Sequence, residues 1–207
     1  KDKAEQKKKA ASGDDEAAES EEAAPEAIAY QDQDAHSQRL MDACDWREFD
    51  ITDRDIRRAR QGYFANISYI DDKIGEVLDV LERTRQEAII LFLSDHGDML
   101  GERGLWFKMS FYEGSARVPL MIAAPSMQPG RVDRPVSTID VLPTLCDLAG
   151  LPMDEIAPWT DGESLADGGA SRNPVPIEYA AEGSITPLVA IRDGGCTLTW
   201  AELTALA

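Results

Sequence analysis

The 207-residue sequence predicts an α/β fold with a central, mostly parallel sheet, and three observations carry that reading. Ile56, Tyr63, Ile67, Ile70, Ile74, Val77 and Leu81 recur at helical spacings, which is one apolar face of a long helix. That helix feeds directly into Ala88–Leu93, a continuous apolar run of the kind a strand covered on both faces needs. A second such run, Val118–Ala124, is stopped by Pro125. A helix leading into a buried strand is half of a βαβ unit.

The elements follow in order. Residues 1–33 read as a disordered, charged, low-complexity tail. Lys1, Lys3 and Lys7–Lys9 give it a basic start, Asp14–Glu16 and Glu19–Glu26 an acidic, Ala-rich stretch. So few large apolar residues cannot offset the entropy of ordering. Ordered sequence is expected from about Asp34, as one domain over residues 34–207. Thr52 with Asp55 three residues on forms a capping-box signature, so the long helix is placed over residues 53–83. Ser137 or Thr138 caps a short helix, Ile139–Ala149, with Pro143 in its first turn and Gly150 closing it. Residues 154–173 read as loop, and Val175–Tyr179 and Leu188–Arg192 as short strands.

Composition excludes some classes. The formal net charge is −18, the opposite of what a phosphate backbone or an anionic membrane selects. Neither apolar run approaches the roughly 20 residues that span a bilayer, and no early segment reads as a secretory leader. Cys44, Cys146 and Cys196 form no CxxC pair and no disulfide framework, which points to a reducing, cytoplasmic setting.

The chemistry concentrates just past the first predicted strand, at Ser94-Asp95-His96-Gly97-Asp98. In open α/β sheets, sites gather beyond the carboxyl ends of strands. A carboxylate beside an imidazole is a metal-ligand pair, and the imidazole favours Mn²⁺ or Zn²⁺ over Ca²⁺. An Asp that caps the next segment, with a His packed beside it, reads equally well from these residues alone.

The longer run Ser94-Asp95-His96-Gly97-Asp98-Met99-Leu100-Gly101-Glu102-Arg103-Gly104-Leu105-Trp106-Phe107-Lys108 resembles the sulfatase branch of the alkaline phosphatase superfamily. Supporting matches are Tyr63–Lys73, Glu113–Leu120, Ser137–Leu145 and the turn Asp161-Gly162-Glu163-Ser164-Leu165. Trp106–Met109 and Glu178–Ser184 direct the resemblance to the choline sulfatase subgroup. It covers about residues 34–192 and implies a partial sulfatase-like α/β sandwich, without the N-terminal half of the domain.

The resemblance implies roles residue by residue. Asp95 and His96 become the second half of a site for one divalent metal ion, Mn²⁺ or Ca²⁺. Lys108 becomes the catalytic lysine on the sulfate oxygens, where a cation stabilises developing negative charge. Glu182, with Glu178 in reserve, becomes the substrate-binding carboxylate for a quaternary ammonium, which normally adds aromatic faces. Asp98 is a candidate partner behind the ligands, and Arg117 and Asp140 are scaffold. The family nucleophile is a formylglycine made from Cys or Ser in a Cys/Ser-x-Pro/Ala-x-Arg motif. Cys44-Asp45-Trp46, Cys146-Asp147-Leu148 and Cys196-Thr197-Leu198 do not match it.

The implied activity is sulfuric ester hydrolysis, choline O-sulfate to choline and sulfate, with this chain inactive alone. The expected partner is a small-molecule sulfate ester, with no nucleic acid and no membrane; a homo-oligomer stays open. Two alternatives stand beside it: a phosphonate or phosphodiester hydrolase of the same superfamily, and a non-catalytic remnant or interaction protein.

Overall fold

The computed structural model describes residues 25–167, 174–181, 184–194 and 196–199. Helix α1 spans Ala35–Ala43, and helix α2 spans Asp53–Thr84. Strand β1 (Ile90–Leu93) leads into a short hairpin of β2 (Met99–Leu100) and β3 (Trp106–Phe107). A one-turn helix, α3 (Glu113–Ala116), precedes β4 (Leu120–Ala123). Helices α4 (Val141–Leu148) and α5 (Met153–Ile156) follow. A meander of β5 (Val175–Tyr179), β6 (Leu188–Asp193) and β7 (Cys196–Thr199) closes the described part.

The predicted long helix is present as α2, and its capping box is formed as the sequence implies. The Thr52 hydroxyl accepts from the Asp55 N–H, and the Asp55 carboxylate accepts from the Thr52 N–H at 3.1 Å. Its apolar stripe stays largely open to solvent: Ile67, Ile70 and Val77 are each more than half exposed. The Arg60 guanidinium and the Glu102 carboxylate, 2.8 Å apart, tie its N-terminal half to the turn between β2 and β3.

The sheet departs from expectation in direction. β1 pairs antiparallel with β4, Ile90 opposite Ala123 and Leu93 opposite Leu120. Every strand pair among the described residues is antiparallel. An apolar run reports how many faces a strand is built to cover, not the direction of its neighbour. Here residues 94–119 fold into a hairpin and a helical turn that bring the chain back reversed, with no crossover helix. The loop expected over residues 154–173 begins instead with α5 and a 3₁₀ turn at 153–159, and its residues 168–173 lie outside the described residues.

The sequence reading had no element for α1, and the core is built on it. Leu40 and Trp46 pack against Met99 and Leu105, with Met41, Cys44, Trp106, Met109 and Tyr112 around them. Residues 25–33, assigned to the tail, are part of this body. The Gln33 amide donates to the Ile28 and Arg103 carbonyls, and the Arg103 N–H donates to the Glu26 carbonyl at 3.1 Å. The sequence cue was hidden because these contacts are polar and long-range.

Asp34 caps α1. Its carboxylate accepts from the His36 and Ser37 N–H groups at 3.0 Å and from the Tyr112 hydroxyl at 2.9 Å. Burial pushes its pKa up, but hydrogen bonds from Ser37, Tyr112 and His36 outweigh that and hold it below the ordinary 3.8. A carboxylate depressed on folding contributes stability that is complete above its unfolded pKa and lost as pH falls through its lower folded value. Acid titration of tertiary structure should therefore show a step below pH 3.8, at which α1 releases Tyr112. Asp34→Asn should remove that step.

Candidate active site

The site begins where β1 ends. Leu93 is the last strand residue, and the chain turns at once through Ser94–Asp98. The Ser94 hydroxyl donates to the His96 carbonyl at 2.7 Å. The Gly97 N–H donates to the Ser115 carbonyl at 2.8 Å, which presses the turn against α3. A Cβ at Gly97 would sit well inside 3.0 Å of the Gly114 carbonyl oxygen, so no other residue fits this approach.

His96 is half-buried and oriented. Its Nδ1 lies 2.9 Å from the Gly97 carbonyl oxygen, an atom that can only accept, so the ring proton sits on Nδ1. That leaves the Nε2 lone pair facing outward, 3.6 Å from Oδ2 of Asp95. Fixing the far nitrogen of an imidazole in this way is what metal sites do to present the other. Asp95 is exposed, and the hydrogen bond from the His96 N–H, with the Lys108 charge adding to it, holds its carboxyl below the usual range. It is therefore an anionic donor at neutral pH. A carboxylate oxygen and an imidazole nitrogen, both able to ligate a divalent ion, converge here. Among the described residues they acquire no third His, Cys, Asp or Glu.

Lys108 arrives from the other side, at the end of β3. Phe107 and Met109 on either side of it have φ of 61° and 76°. A left-handed backbone costs an ordinary residue about 1–2 kcal/mol. Two together are kept only where the surroundings hold them. Asp95, His96 and Lys108 line one open cleft of about 1280 Å³. Glu178 on β5 lines its far wall beside Tyr179. Glu182 lies outside the described residues.

Two placements correct the sequence reading. Asp98 does not support His96; its carboxylate accepts from the Tyr63 hydroxyl, and burial followed by that carboxylate raises the phenol pKa. Arg117, read as scaffold, lines the cleft, as do Arg131, Arg134 and Arg192. The Arg192 guanidinium is 3.0 Å from Glu113, bracing β6 against α3. Arg117 lies in the Glu113–Leu120 match; for the other three arginines the sequence carries no signal, because only the tertiary fold brings them to this cleft. Cys44 and Cys146, the cysteines with described side chains, stand outside the cleft, and the serines that line it, Ser110, Ser115 and Ser137, are not in a Ser-x-Pro/Ala-x-Arg sequence, so the residues here do not fit a formylglycine.

The sulfatase family profile matches residues 3–151. The chain belongs to the sulfatase family. It is 59% identical to the choline-sulfatase of Rhizobium meliloti (strain 1021) over 173 residues, which is 81% of this chain and 34% of that protein. It is 42% identical to arylsulfatase K of Danio rerio over 105 residues, 49% of this chain and 20% of that one. Among solved structures, the phosphonate monoester hydrolase of Silicibacter pomeroyi superposes with a TM-score of 0.62 at 28% identity, covering 74% of this chain and 35% of the other. The chain thus spans about a third of the length of the choline-sulfatase it matches. Sulfatase membership agrees with the mixed helix and strand content, and no described helix is long and apolar enough to cross a membrane.

Proposed function

We propose that this sulfatase-family chain supplies the divalent-metal pair and the anion-binding lysine of a site that cleaves small-molecule sulfate esters, choline O-sulfate first among them. The observation that carries the reading is the convergence of Asp95 Oδ2 and His96 Nε2, 3.6 Å apart, in the cleft that also holds Lys108. When bound there, Mn²⁺ or Ca²⁺ would supply Lewis-acid charge next to the ester. Asp95 and His96 would hold it, one by a carboxylate oxygen and one by a ring nitrogen. Lys108 meets the negative charge that grows on the sulfate oxygens as the ester bond breaks, in a position set before substrate arrives.

The substrate assignment rests on the choline-sulfatase relative and on the far wall. Glu178 offers a carboxylate of the kind that suits a quaternary ammonium. Glu182 is proposed as the substrate-binding carboxylate, with Glu178 in reserve. The cysteine pattern supports a cytoplasmic setting. A phosphonate or phosphodiester ester is the second reading, favoured by the likeness to a phosphonate monoester hydrolase.

Calorimetric titration with Mn²⁺ tests the metal pair. Asp95→Ala and His96→Ala should each weaken Mn²⁺ binding by at least about tenfold, the scale on which metal sites respond to losing supporting groups. Unchanged affinity in both would refute the ligand assignment. Choline O-sulfate and a phosphonate monoester, titrated into the Mn²⁺-loaded chain, then separate the two substrate readings. Choline O-sulfate should bind more tightly, and Glu178→Gln or Glu182→Gln should narrow the difference.

A further inference from the structure

We propose that His36 is a positioning residue for Lys108: its Nε2–H holds the Met109 carbonyl and so keeps the Phe107–Met109 turn in the form that presents the ammonium to the cleft. The inference rests on reading Lys108 as the sulfate contact. His36 does not line the cleft itself, so whatever it does there it does through this turn.

The His36 Nε2 lies 2.6 Å from the Met109 carbonyl oxygen. A carbonyl only accepts, so the ring must carry its proton on Nε2. Nδ1 is then bare, and it is buried with no hydrogen-bond partner. A buried ring nitrogen left without a partner costs free energy. The ring is thus spent on one bond, and that bond goes to the residue after Lys108. A histidine that served only to fill space would gain nothing from this arrangement.

The rest of the ring's surroundings fix its aim. The Tyr179 ring packs against it with centroids 5.4 Å apart and planes tilted by 59°. The His36 N–H is held by the Asp34 carboxylate in the first turn of α1. Leu40, one turn on, is anchored in the core with Met99 and Leu105. A rigid helix therefore carries the donor, and the strained turn is the part that would otherwise relax. Phe107 and Met109 both hold positive φ, and neither is a glycine for which that is free. Released from its carbonyl anchor, Met109 would return to the extended or helical region and swing Lys108 away from Asp95.

Two substitutions separate positioning from packing. His36→Phe keeps a ring against Tyr179 but has no donor, whereas His36→Gln returns an N–H. The probe is inorganic sulfate, titrated at constant ionic strength and followed by the ¹³C signal of dimethylated Lys108, assigned with Lys108→Arg. Sulfate affinity should fall about fivefold in His36→Phe, the effect of losing one hydrogen bond, and return in His36→Gln. The two variants should melt at matching temperatures. Native affinity in His36→Phe, or no recovery in His36→Gln, overturns the proposal. Backbone couplings of Phe107 and Met109, measured without sulfate, read the turn directly. Positive φ should be lost in His36→Phe and kept in His36→Gln. If native Lys108 does not respond to sulfate, the reading of its function fails; the couplings still judge the clamp, and unchanged couplings in His36→Phe refute it.

Discussion

Gly97→Ala should remove Mn²⁺ binding and lower stability together, by more than either metal-ligand substitution lowers stability. The added methyl would lie well inside 3.0 Å of the Gly114 carbonyl oxygen, and what it meets is backbone. Gly114 cannot yield easily, because a Cβ there would already crowd the Met99 sulfur at 3.0 Å and the Asp98 carbonyl at 3.3 Å. The two segments are in contact from both sides. Relief must come from lifting the Ser94–Asp98 turn off α3, which breaks the Gly97 N–H bond to the Ser115 carbonyl. Overpacking of this kind costs about 1–3 kcal/mol, occasionally more. The lost hydrogen bond adds about 1 kcal/mol. Since Gly97 also supplies the carbonyl that orients His96, the same displacement frees the imidazole to turn. Gly130→Ala is the control, because a Cβ there meets nothing within 4 Å. Urea midpoints and Mn²⁺ titrations of the two variants should diverge; equal behaviour would mean that the turn adapts at no cost.

That glycine also marks what the sequence revealed and what it hid. Local signals were readable because they are local. The Thr52–Asp55 capping box, the stripe of α2 and the strands expected at Val175–Tyr179 and Leu188–Arg192 depend on residues a few positions apart. The pairing of a carboxylate with an imidazole was readable because Asp95 and His96 are neighbours at a strand end. The antiparallel pairing of β1 with β4 was not, since a continuous apolar run carries no direction. Nor was α1, whose helical propensity is ordinary and whose role comes from Met99 and Leu105, more than fifty residues away. The arginines of the cleft and the bond from His36 to Met109 are hidden for the same reason. They are polar contacts made across the fold, and no periodicity encodes them. Asp98 shows the converse error: nearness in sequence to Asp95 and His96 suggested a role beside them, while its actual partner, Tyr63, comes from α2.

Asp140→Ala should be the other most damaging substitution, and its cause is a buried carboxylate with two N–H groups to satisfy. Asp140 is 1% exposed. Oδ2 accepts from the Ser137 N–H at 2.8 Å, closing the capping box that starts the helical turn before α4. Oδ1 accepts from the Glu163 N–H at 2.9 Å, twenty-three residues on. One turn later the Thr144 hydroxyl, itself fully buried, donates to the Asp140 carbonyl and accepts from the Leu165 N–H at 2.9 Å. The Asp161–Leu165 turn is thereby bolted to the start of α4, with Gly162 pressed so close to the Ile139 carbonyl that a Cβ has no room. Alanine would strand two donors at once. Hydrogen bonds to a charged group are worth about 1.5–3 kcal/mol each, so the loss should come to roughly 3–5 kcal/mol. Asn keeps one acceptor and turns an NH₂ toward the other donor, so Asp140→Asn should lie between wild type and Ala in urea unfolding. Thr144→Val, which loses the relay but not the cap, should cost less than either. The consequence reaches the cleft, because residues 131–139 form one of its walls and hang from the Ser137 N–H bond. In Asp140→Ala the exchange of amide hydrogens should accelerate across residues 133–139 and 161–165 together. Acceleration confined to α4 would mean that the carboxylate holds the helix alone and that the cleft wall stands without it.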